Sequence, residues 1–323
     1  MQYSQLGRSG LKVSRLCLGT MNFGPQTEES AAHAIMDAAL DAGINFFDTA
    51  NVYGGSKHRG WTEEILGRWF AKGGERRERT VLATKVYGTM EDRPNESRLS
   101  ALHIRRALDA SLKRLATDHI DLYQFHHVDR NTPWEEIWQA VDVAVQQGKI
   151  VYAGSSNFAG WHLAQAQEAA ARRNSYGLVS EQSIYNLLTR DAEREVVPAA
   201  QHYGLGILPW SPLHGGLLGG VLKKEDDGVR RTQGRALEAL KKHRNQIRRY
   251  EDFADELGQE PGVLALAWLL HQPAVTAPIV GPRTPEQLGA ALAALALKLD
   301  AAALTRLDSI FPGHRTAPED YAW

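Results

Sequence analysis

Short apolar runs alternate with longer amphipathic stretches along almost the whole chain, and this alternation limits the possible folds more than any other feature of the sequence. Strands separated by helices must pair in parallel through right-handed crossovers, because a tight hairpin can join only antiparallel strands. The pattern predicts eight strands, the number that a closed parallel barrel requires. Their predicted ranges are Arg15–Thr20, Asn45–Thr49, Val81–Lys85, Ile120–His126, Ile150–Ser155, Leu178–Gln182, Gly206–Pro209 and Thr276–Val280.

The predicted helices carry recognisable start and stop signals. A threonine precedes several amphipathic stretches, as expected for a residue at a helix start. These predicted pairs are Thr27 with Glu28–Ala42, Thr62 with Glu63–Ala71, and Thr132 with Pro133–Gln147. Gly43 and Gly148 follow the first and third of these stretches and mark their ends.

An open dinucleotide-binding sheet and a closed barrel both satisfy this alternation. The open fold would place a Gly-x-Gly-x-x-Gly turn after its first strand, but Gly19 is followed by TMNFGPQ. The sequence therefore favours a (β/α)8 barrel, preceded by a β-hairpin with its turn at Gly7–Gly10. Because such barrels commonly use about 250 residues or more as one unit, we expect residues 1–323 to form a single domain.

Charge and cysteine content narrow the possible partners. Lys and Arg total 37 against 38 Asp and Glu, so no overall field favours nucleic acid or an anionic membrane. The single cysteine, Cys17, cannot form an internal disulfide, in keeping with a reducing compartment. The first residues lack a signal-peptide pattern, and apolar runs such as Val263–Leu270 are shorter than the roughly 20 residues of a membrane helix. We expect a cytoplasmic protein without nucleic-acid or membrane partners.

Four ionisable side chains lie where neighbouring predicted strands end. Asp48 ends the second strand, with Tyr53 in the loop just beyond it, while Lys85 ends the third strand and His126 the fourth. Each alone has a structural explanation, such as a loop cap, a core ion pair or a hydrogen-bonded rim histidine. In a barrel, however, the loops after the strands converge on one mouth. We therefore expect the four groups to face one cavity.

This combination of groups suits acid–base chemistry. A free tyrosine has a pKa near 10, too high for an efficient acid or base at neutral pH. A neighbouring ammonium favours the phenolate, so Lys85, oriented by Asp48, is expected to lower the pKa of Tyr53. His126 would hydrogen-bond a carbonyl oxygen, and a donor aimed at an oxygen that gains negative charge typically contributes about 3 kcal/mol.

The sequence as a whole resembles the aldo-keto reductases. The segments that carry the resemblance follow the family's order over nearly the whole chain: LGRSGLKVSRLCLGTMNFG, INFFDTANVYG, LATK, IDLYQFH, GSSNF, EQSIYNLL, PWSPLHGGLLGG and IVGPRTPEQL. The resemblance implies that Asp48, Tyr53, Lys85 and His126 are the catalytic tetrad, with Tyr53 as general acid in the reduction of a small-molecule aldehyde or ketone. It implies NADPH/NADP+ as the cofactor and no metal.

The resemblance also implies three groups of cofactor-binding residues. The nicotinamide group comprises Ser156, Asn157 and Gln182, which match positions that hydrogen-bond the carboxamide, and Trp210, which matches the stacking ring. The strand-end group beneath the cofactor comprises Gly19, Thr20, Met21 and Asp48. The loop group over the pyrophosphate comprises Ser211, Pro212, Leu213, Gly215 and Leu217.

The segment IVGPRTPEQL joins a strand end to a helix start, which favours anion binding. By resemblance, Arg283 and Thr284 would hold the adenosine 2′-phosphate and Gln287 would lie near the adenine, and Gly281 belongs to the same cofactor-binding set. A planar, permanently charged guanidinium suits phosphate, so the segment favours NADPH over NADH. Ala291 stands where the family often has an asparagine that contacts the adenine.

Two questions stay open from the sequence. The branch of the family that this sequence resembles also resembles members with a potassium-channel role. A nicotinamide-binding sensor or regulatory subunit with little turnover is therefore the alternative function. The Lys- and Arg-rich segment 223–250 is expected to be an irregular insertion, either a solvated loop with an exposed helix or a basic flap over an anionic cofactor. The sequence leaves the substrate and the oligomeric state open.

Overall fold

Two antiparallel strands precede eight parallel strands in the part of the chain that the computed structural model describes, residues 1–56, 58–226 and 234–322. Their bounds are β1 Tyr3–Gln5, β2 Lys12–Ser14, β3 Cys17–Gly19, β4 Phe46–Asp48, β5 Val81–Val86, β6 Ile120–Phe125, β7 Ile150–Ser156, β8 Leu178–Gln182, β9 Gly206–Ile207 and β10 Ile279–Val280. The eight parallel strands form one sheet in the order β10-β3-β4-β5-β6-β7-β8-β9.

The two outer strands of this sheet, β9 and β10, are joined by backbone hydrogen bonds that each of them makes with residues flanking the other. Ile207 N donates to Ala274 O at 3.1 Å, and Thr276 N donates to Ile207 O at 2.9 Å. Ile279 N then donates to Pro209 O at 2.9 Å. The sheet therefore closes, which confirms the predicted (β/α)8 barrel. β9 and β10 are two residues long, shorter than predicted, because their pairing is reduced to these few contacts.

The β1–β2 hairpin, predicted from the sequence, covers the amino-terminal end of the barrel. Leu6 and Val13 are fully buried and pack against the inward-facing apolar side chains of the barrel strands, among them Cys17 and Leu122. Gly7 has a φ of 56°, and a side chain there would meet the backbone of β8 at Val179 O. Glycine is therefore required where the hairpin turn touches the barrel.

Helices surround the barrel, and a large apolar core lies between them and the sheet. Their bounds are α1 Glu29–Asp41, α2 Trp61–Phe70, α3 Ala101–Leu115, α4 Trp134–Gln146, α5 Gly160–Arg172, α6 Val196–Tyr203, α7 Val221–Asp226, α8 Gly234–Glu256, α9 Pro261–His271, α10 Pro285–Ala293 and α11 Ala301–Ile310. The predicted stops after α1 and α4 are confirmed, since Gly43 and Gly148 adopt left-handed φ values of 85° and 70°. None of the described helices is both long and apolar enough to cross a membrane.

Three predicted helix starts are displaced by one or two residues. The cap of α1 is Glu28 and not Thr27. Thr62 lies inside α2, where its hydroxyl donates to a backbone oxygen of the β3–α1 loop at 3.0 Å. Thr132 precedes the α4 cap, and its hydroxyl donates to the Asp129 carboxylate at 2.8 Å. The Thr62 hydroxyl has its partner in a remote segment and the Thr132 hydroxyl has its partner within its own loop, so neither caps the helix that it was predicted to start.

The expected irregular insertion at 223–250 is largely helical. Residues 227–233 of it lie outside the described residues, but α7 precedes them and α8 follows them. Leu240 and Ile247 of α8 are buried in a cluster with Leu217. The interpretation as an irregular segment is therefore wrong for the described residues of α8, whose apolar face packs beside the loop that follows β9.

Candidate active site

The carboxyl ends of β3, β4 and β5 lie side by side in register. Gly19 pairs with Asp48, and Asp48 pairs with Ala83, two residues before Lys85. Thr20 fixes the β3 end, because its backbone N and its hydroxyl both donate to Asp48 O, at 3.0 and 2.9 Å. The parallel register therefore brings the strand-end residues to the same rim, as the sequence predicts.

Lys85 lies at the centre of the candidate site and is fully buried. Its Nζ donates to Asp48 Oδ2 at 2.6 Å, to Thr49 O at 2.9 Å and to Tyr53 Oη at 3.2 Å. An ammonium has three N–H donors, so these contacts satisfy all of them. A buried charge is tolerated only when it is paired and hydrogen-bonded, and this geometry meets both conditions while joining Lys85 to the tyrosine.

Asp48 is held from a second side by two buried amides. Gln124 Nε2 and Gln182 Nε2 each donate to Asp48 Oδ1 at 2.9 Å, and Gln182 Nε2 also lies 3.1 Å from Gln124 Oε1. Gln124 is not among the site residues predicted from the sequence. The available signal is its spacing, because Gln124 lies two residues before His126 and therefore on the same face of β6.

The pKa of Tyr53 is raised in the folded protein, and the expected lowering is wrong. Burial of the phenol is the largest cause, while Lys85 acts in the predicted direction and lowers the pKa. The pKa of Lys85 is itself raised, because the attraction of Asp48 and Tyr53 exceeds the effect of its own burial. At neutral pH the site therefore holds a protonated phenol beside a charged ammonium.

His126 follows β6 directly and faces the tyrosine. Its ring centroid lies 6.0 Å from that of Tyr53, in an edge-on arrangement. Burial, together with repulsion from Lys85 and His127, lowers the pKa of His126 from 6.5 to about 3. The imidazole is therefore neutral at neutral pH, and one of its nitrogens carries an N–H that can donate to an oxygen.

Ser156, Asn157 and Trp210 form a hydrogen-bonded group beside the tetrad. Asn157 Nδ2 donates to Ser156 Oγ at 3.0 Å and to His126 O at 3.1 Å, and Trp210 Nε1 donates to Asn157 Oδ1 at 3.1 Å. Ser156 Oγ donates to Gln182 O at 2.8 Å. These residues were predicted from three motifs, with Ser156 and Asn157 in GSSNF, Gln182 in EQSIYNLL and Trp210 in PWSPLHGGLLGG, and the structure brings them together.

The loop after β9 carries the next set of predicted residues. Ser211 and Gly215 have left-handed φ values of 52° and 64°, and Asn186 Nδ2 donates to Ser211 O at 3.0 Å. Pro212 is buried, Leu213 is half-buried, and Leu217 is buried in the cluster with α8. The loop is therefore anchored by its apolar residues and exposes Gly215.

The β10–α10 connection holds the last predicted set at the surface. Thr284 caps α10, its Oγ1 accepting from Gln287 N at 3.4 Å, while Gln287 Oε1 accepts from Arg283 N at 2.9 Å. The exposed Arg283 guanidinium donates to Gln26 Oε1 at 3.3 Å. Gly281 O accepts from Asn22 Nδ2 at 2.9 Å. This rim thus offers a cation and a helix start to an anion.

Two further observations complete the site. Met21 is 60% exposed at the same rim, so it lines the mouth and not the barrel interior. Among the described residues, no group of three or more His, Cys, Asp or Glu side chains is arranged to hold a metal ion. The chemistry available at this mouth is proton donation from a phenol and hydrogen bonding from a neutral imidazole.

Comparison with known proteins agrees with this geometry. Residues 15–311 match the model of the aldo/keto reductase family. The chain is 56% identical to the uncharacterized oxidoreductase YrpG of Bacillus subtilis, over 100% of both chains. It is 34% identical to versiconal hemiacetal acetate reductase of Aspergillus parasiticus, covering 98% of this chain and 100% of that protein. It is 36% identical to a probable voltage-gated potassium channel subunit beta of Oryza sativa, covering 89% of each. The chain therefore belongs to the aldo/keto reductase family and is similar throughout its length to oxidoreductases.

Proposed function

We propose that this protein reduces aldehydes or ketones to alcohols with NADPH, and that Tyr53 donates the proton. The observation that carries the proposal is the contact between Tyr53 Oη and Lys85 Nζ at 3.2 Å, with Lys85 Nζ paired to Asp48 Oδ2 at 2.6 Å. It links a proton donor to a buried cation at the mouth of the barrel, where enzymes of this architecture have their active sites.

The residues of the chain have distinct roles in this proposal. Tyr53 carries its proton at neutral pH, as an ordinary phenol does, and Lys85 counteracts the rise in pKa that burial causes, which favours transfer of this proton to the carbonyl oxygen. Lys85 then stabilises the phenolate that forms, and Asp48 balances the charge of Lys85. The neutral His126 donates a hydrogen bond to the same oxygen and orients it. NADPH, when bound, supplies the hydride.

The predicted cofactor residues fit a nicotinamide dinucleotide. Ser156, Asn157 and Trp210 lie together beside the tetrad, and Trp210 is half-buried, with its ring at the mouth. Arg283 lies at the start of α10, where both its guanidinium and the helix start favour a phosphate. This pairing supports NADPH over NADH. We assign the remaining members of the predicted set, Gln182 included, to the same site as part of the proposal.

The names of the relatives support the enzyme class and also the alternative. One relative is named a reductase and another a putative aryl-alcohol dehydrogenase, which agrees with carbonyl and alcohol chemistry. Three others are named subunits of voltage-gated potassium channels. A regulatory or sensor subunit remains the second candidate function, and it predicts slow turnover and a protein partner.

Substitution of Tyr53 tests the proposal. The wild type, Tyr53→Phe and a control, Tyr321→Phe at a 76% exposed position, are assayed for NADPH oxidation against a panel of aldehydes, quinones and sugars. We expect Tyr53→Phe to lose turnover by about 100-fold or more, because a positioned general acid contributes roughly 100- to 10,000-fold, while NADPH binding is retained. Unchanged turnover in Tyr53→Phe would contradict the acid role. Negligible turnover by the wild type on every substrate would favour the regulatory alternative.

A further inference from the structure

Glu181 is a buried acid that the proposed chemistry does not use. It precedes Gln182 on β8, and because successive strand residues point to opposite faces, it lies on the side of the sheet away from Asp48. Its side chain is fully buried. Burial raises the pKa of Glu181 to about 7, although its hydrogen bonds act to lower it.

The hydrogen bonds of Glu181 lead to the turn that contains Asn157. Glu181 Oε2 accepts from Ser155 Oγ at 2.5 Å, and Oε1 accepts from Ser183 Oγ at 2.6 Å. Oε1 also accepts from the backbone N of Phe158 at 3.1 Å. The carboxylate thus joins the strand before the turn, the strand beside it and the turn itself.

The turn benefits from such support because its backbone conformation is uncommon. Asn157 has a φ of 60°, a left-handed conformation that few residues other than glycine adopt, although asparagine adopts it more readily than most. One backbone bond, from Asn157 N to Gln182 O at 3.0 Å, holds the turn from the barrel side. Glu181 holds it from the helix side through Phe158 N.

Asn157 passes this constraint on to the predicted nicotinamide site. Its Oδ1 accepts from Trp210 Nε1 at 3.1 Å, and its Nδ2 donates to His126 O at 3.1 Å. A change in the turn therefore moves the side chain that aligns both the stacking ring and the backbone of the tetrad histidine.

We propose that Glu181 is a positioning residue whose carboxylate holds the Asn157 turn in the conformation that binds the nicotinamide, so that protonation of Glu181 weakens cofactor binding. The inference depends on the proposed function. Hydrogen bonds to a charged acceptor are about twice as strong as neutral ones. The ionised form of Glu181 therefore holds Phe158 N more tightly than the protonated form does.

Other titratable groups near the turn are not expected to produce the same pH dependence. His162 of α5 packs against Phe158 with ring centroids 6.0 Å apart, and burial and Arg130 lower its pKa. The pKa of His126, on the barrel side, is about 3. The pKa values of both histidines are therefore shifted to the acidic side of an ordinary histidine, whereas the pKa of Glu181 is raised to about 7.

The test is the dissociation constant of NADP+, measured by quenching of tryptophan fluorescence between pH 6 and 8.5 without turnover. For the wild type we expect the constant to rise about fivefold as pH falls through the pKa of Glu181. Glu181→Gln should bind with a constant near the acidic limit of the wild type and should lack this dependence, keeping only the change at about pH 6 that protonation of the 2′-phosphate of the ligand itself produces. Asp121→Asn is the matched control, because that carboxylate accepts from Leu82 N at 2.8 Å at the opposite end of the barrel, and its profile should follow the wild type.

A second variant keeps the test decisive if Glu181→Gln folds poorly. Ser183→Ala removes a donor that favours the ionised carboxyl, so the midpoint of the binding profile should move to higher pH. Equal pH dependence in Glu181→Gln and the wild type, or an unmoved midpoint in Ser183→Ala, would overturn the positioning role while leaving the reductase proposal intact. A wild type that binds no NADP+ at any pH would overturn both.

Discussion

The neutral state of His126 lowers the free energy of unfolding of the protein at acidic pH. Its pKa is lowered from 6.5 to about 3 in the folded protein, whereas the unfolded chain titrates near the ordinary value. Below pH 6.5 the unfolded state therefore binds a proton at His126, whereas the folded state stays unprotonated there until the pH approaches 3. The contribution of the neutral imidazole to the free energy of unfolding is fully present above pH 6.5 and is lost progressively as pH falls toward 3.

The size of this loss follows from the two pKa values. The difference between 6.5 and about 3, at about 1.36 kcal/mol per pH unit, corresponds to roughly 5 kcal/mol at the acidic limit. Between pH 7 and pH 5 the same linkage gives a loss of about 2 kcal/mol in the free energy of unfolding. Burial of the His126 ring is the largest cause of this loss, and the Lys85 ammonium adds to it.

Urea unfolding at pH 7 and pH 5 measures this loss in the free energy of unfolding. We expect the free energy of unfolding of the wild type to fall between these pH values by about 2 kcal/mol more than that of His126→Gln, which keeps an N–H donor but does not titrate. His202→Gln, at an exposed position on α6, is the control and should fall as the wild type does. If His126→Gln and the wild type lose stability equally, the imidazole is not held neutral, and the role assigned to it as a neutral donor is wrong.

Three further predictions concern the phosphate site and the barrel wall. Arg283→Ala should raise the Michaelis constant for NADPH about 10- to 100-fold, because a charge-assisted bond is worth roughly 1.5–3 kcal/mol, and steady-state kinetics with NADH should show little change; equal changes for both cofactors would exclude recognition of the 2′-phosphate. Arg114→Met should lower the free energy of urea unfolding by about 3–5 kcal/mol, because it leaves the fully buried Glu63 without its partner at 2.8 Å; a loss below about 1 kcal/mol would contradict a buried ion pair. Gly67→Ala should lower the thermal midpoint although alanine favours helices, because its side chain would meet the backbone of α3. Gly289→Ala, on α10 with open space around it, should raise the midpoint. A rise in both variants would show that α2 and α3 can separate.

The strand pattern and the candidate site were largely readable from the sequence. β8 has the bounds predicted for it, Leu178–Gln182, and it begins directly after Gly177, a turn residue that marks its start in the sequence. Asp48 and Lys85 could be assigned to one mouth because parallel strands place their carboxyl ends on the same rim. Order along the chain and a period of two residues carry this information, and neither depends on distant contacts.

Features set by distant contacts could not be read in the same way. The pKa of Tyr53 depends first on the burial of the phenol, which the sequence does not reveal, and only then on the charge of Lys85, which it does. Thr62 was expected to start a helix because a threonine often precedes one. Its actual partner is a backbone oxygen in the β3–α1 loop, which is remote in sequence. Glu181 and Gln124 interrupt apolar strands, a visible signal, but only the neighbouring strands reveal what each of them holds.

The short contact between β9 and β10 has a consequence for local opening of the barrel. Each of these strands contributes two residues, and Trp210 and Arg283 follow them within three residues. A dinucleotide that touches both side chains would bridge the place where β9 and β10 meet and would hold these two strands together. The amide protons of Ile207 and Thr276, which close that join, should then exchange with solvent more slowly in the bound protein than in the free one.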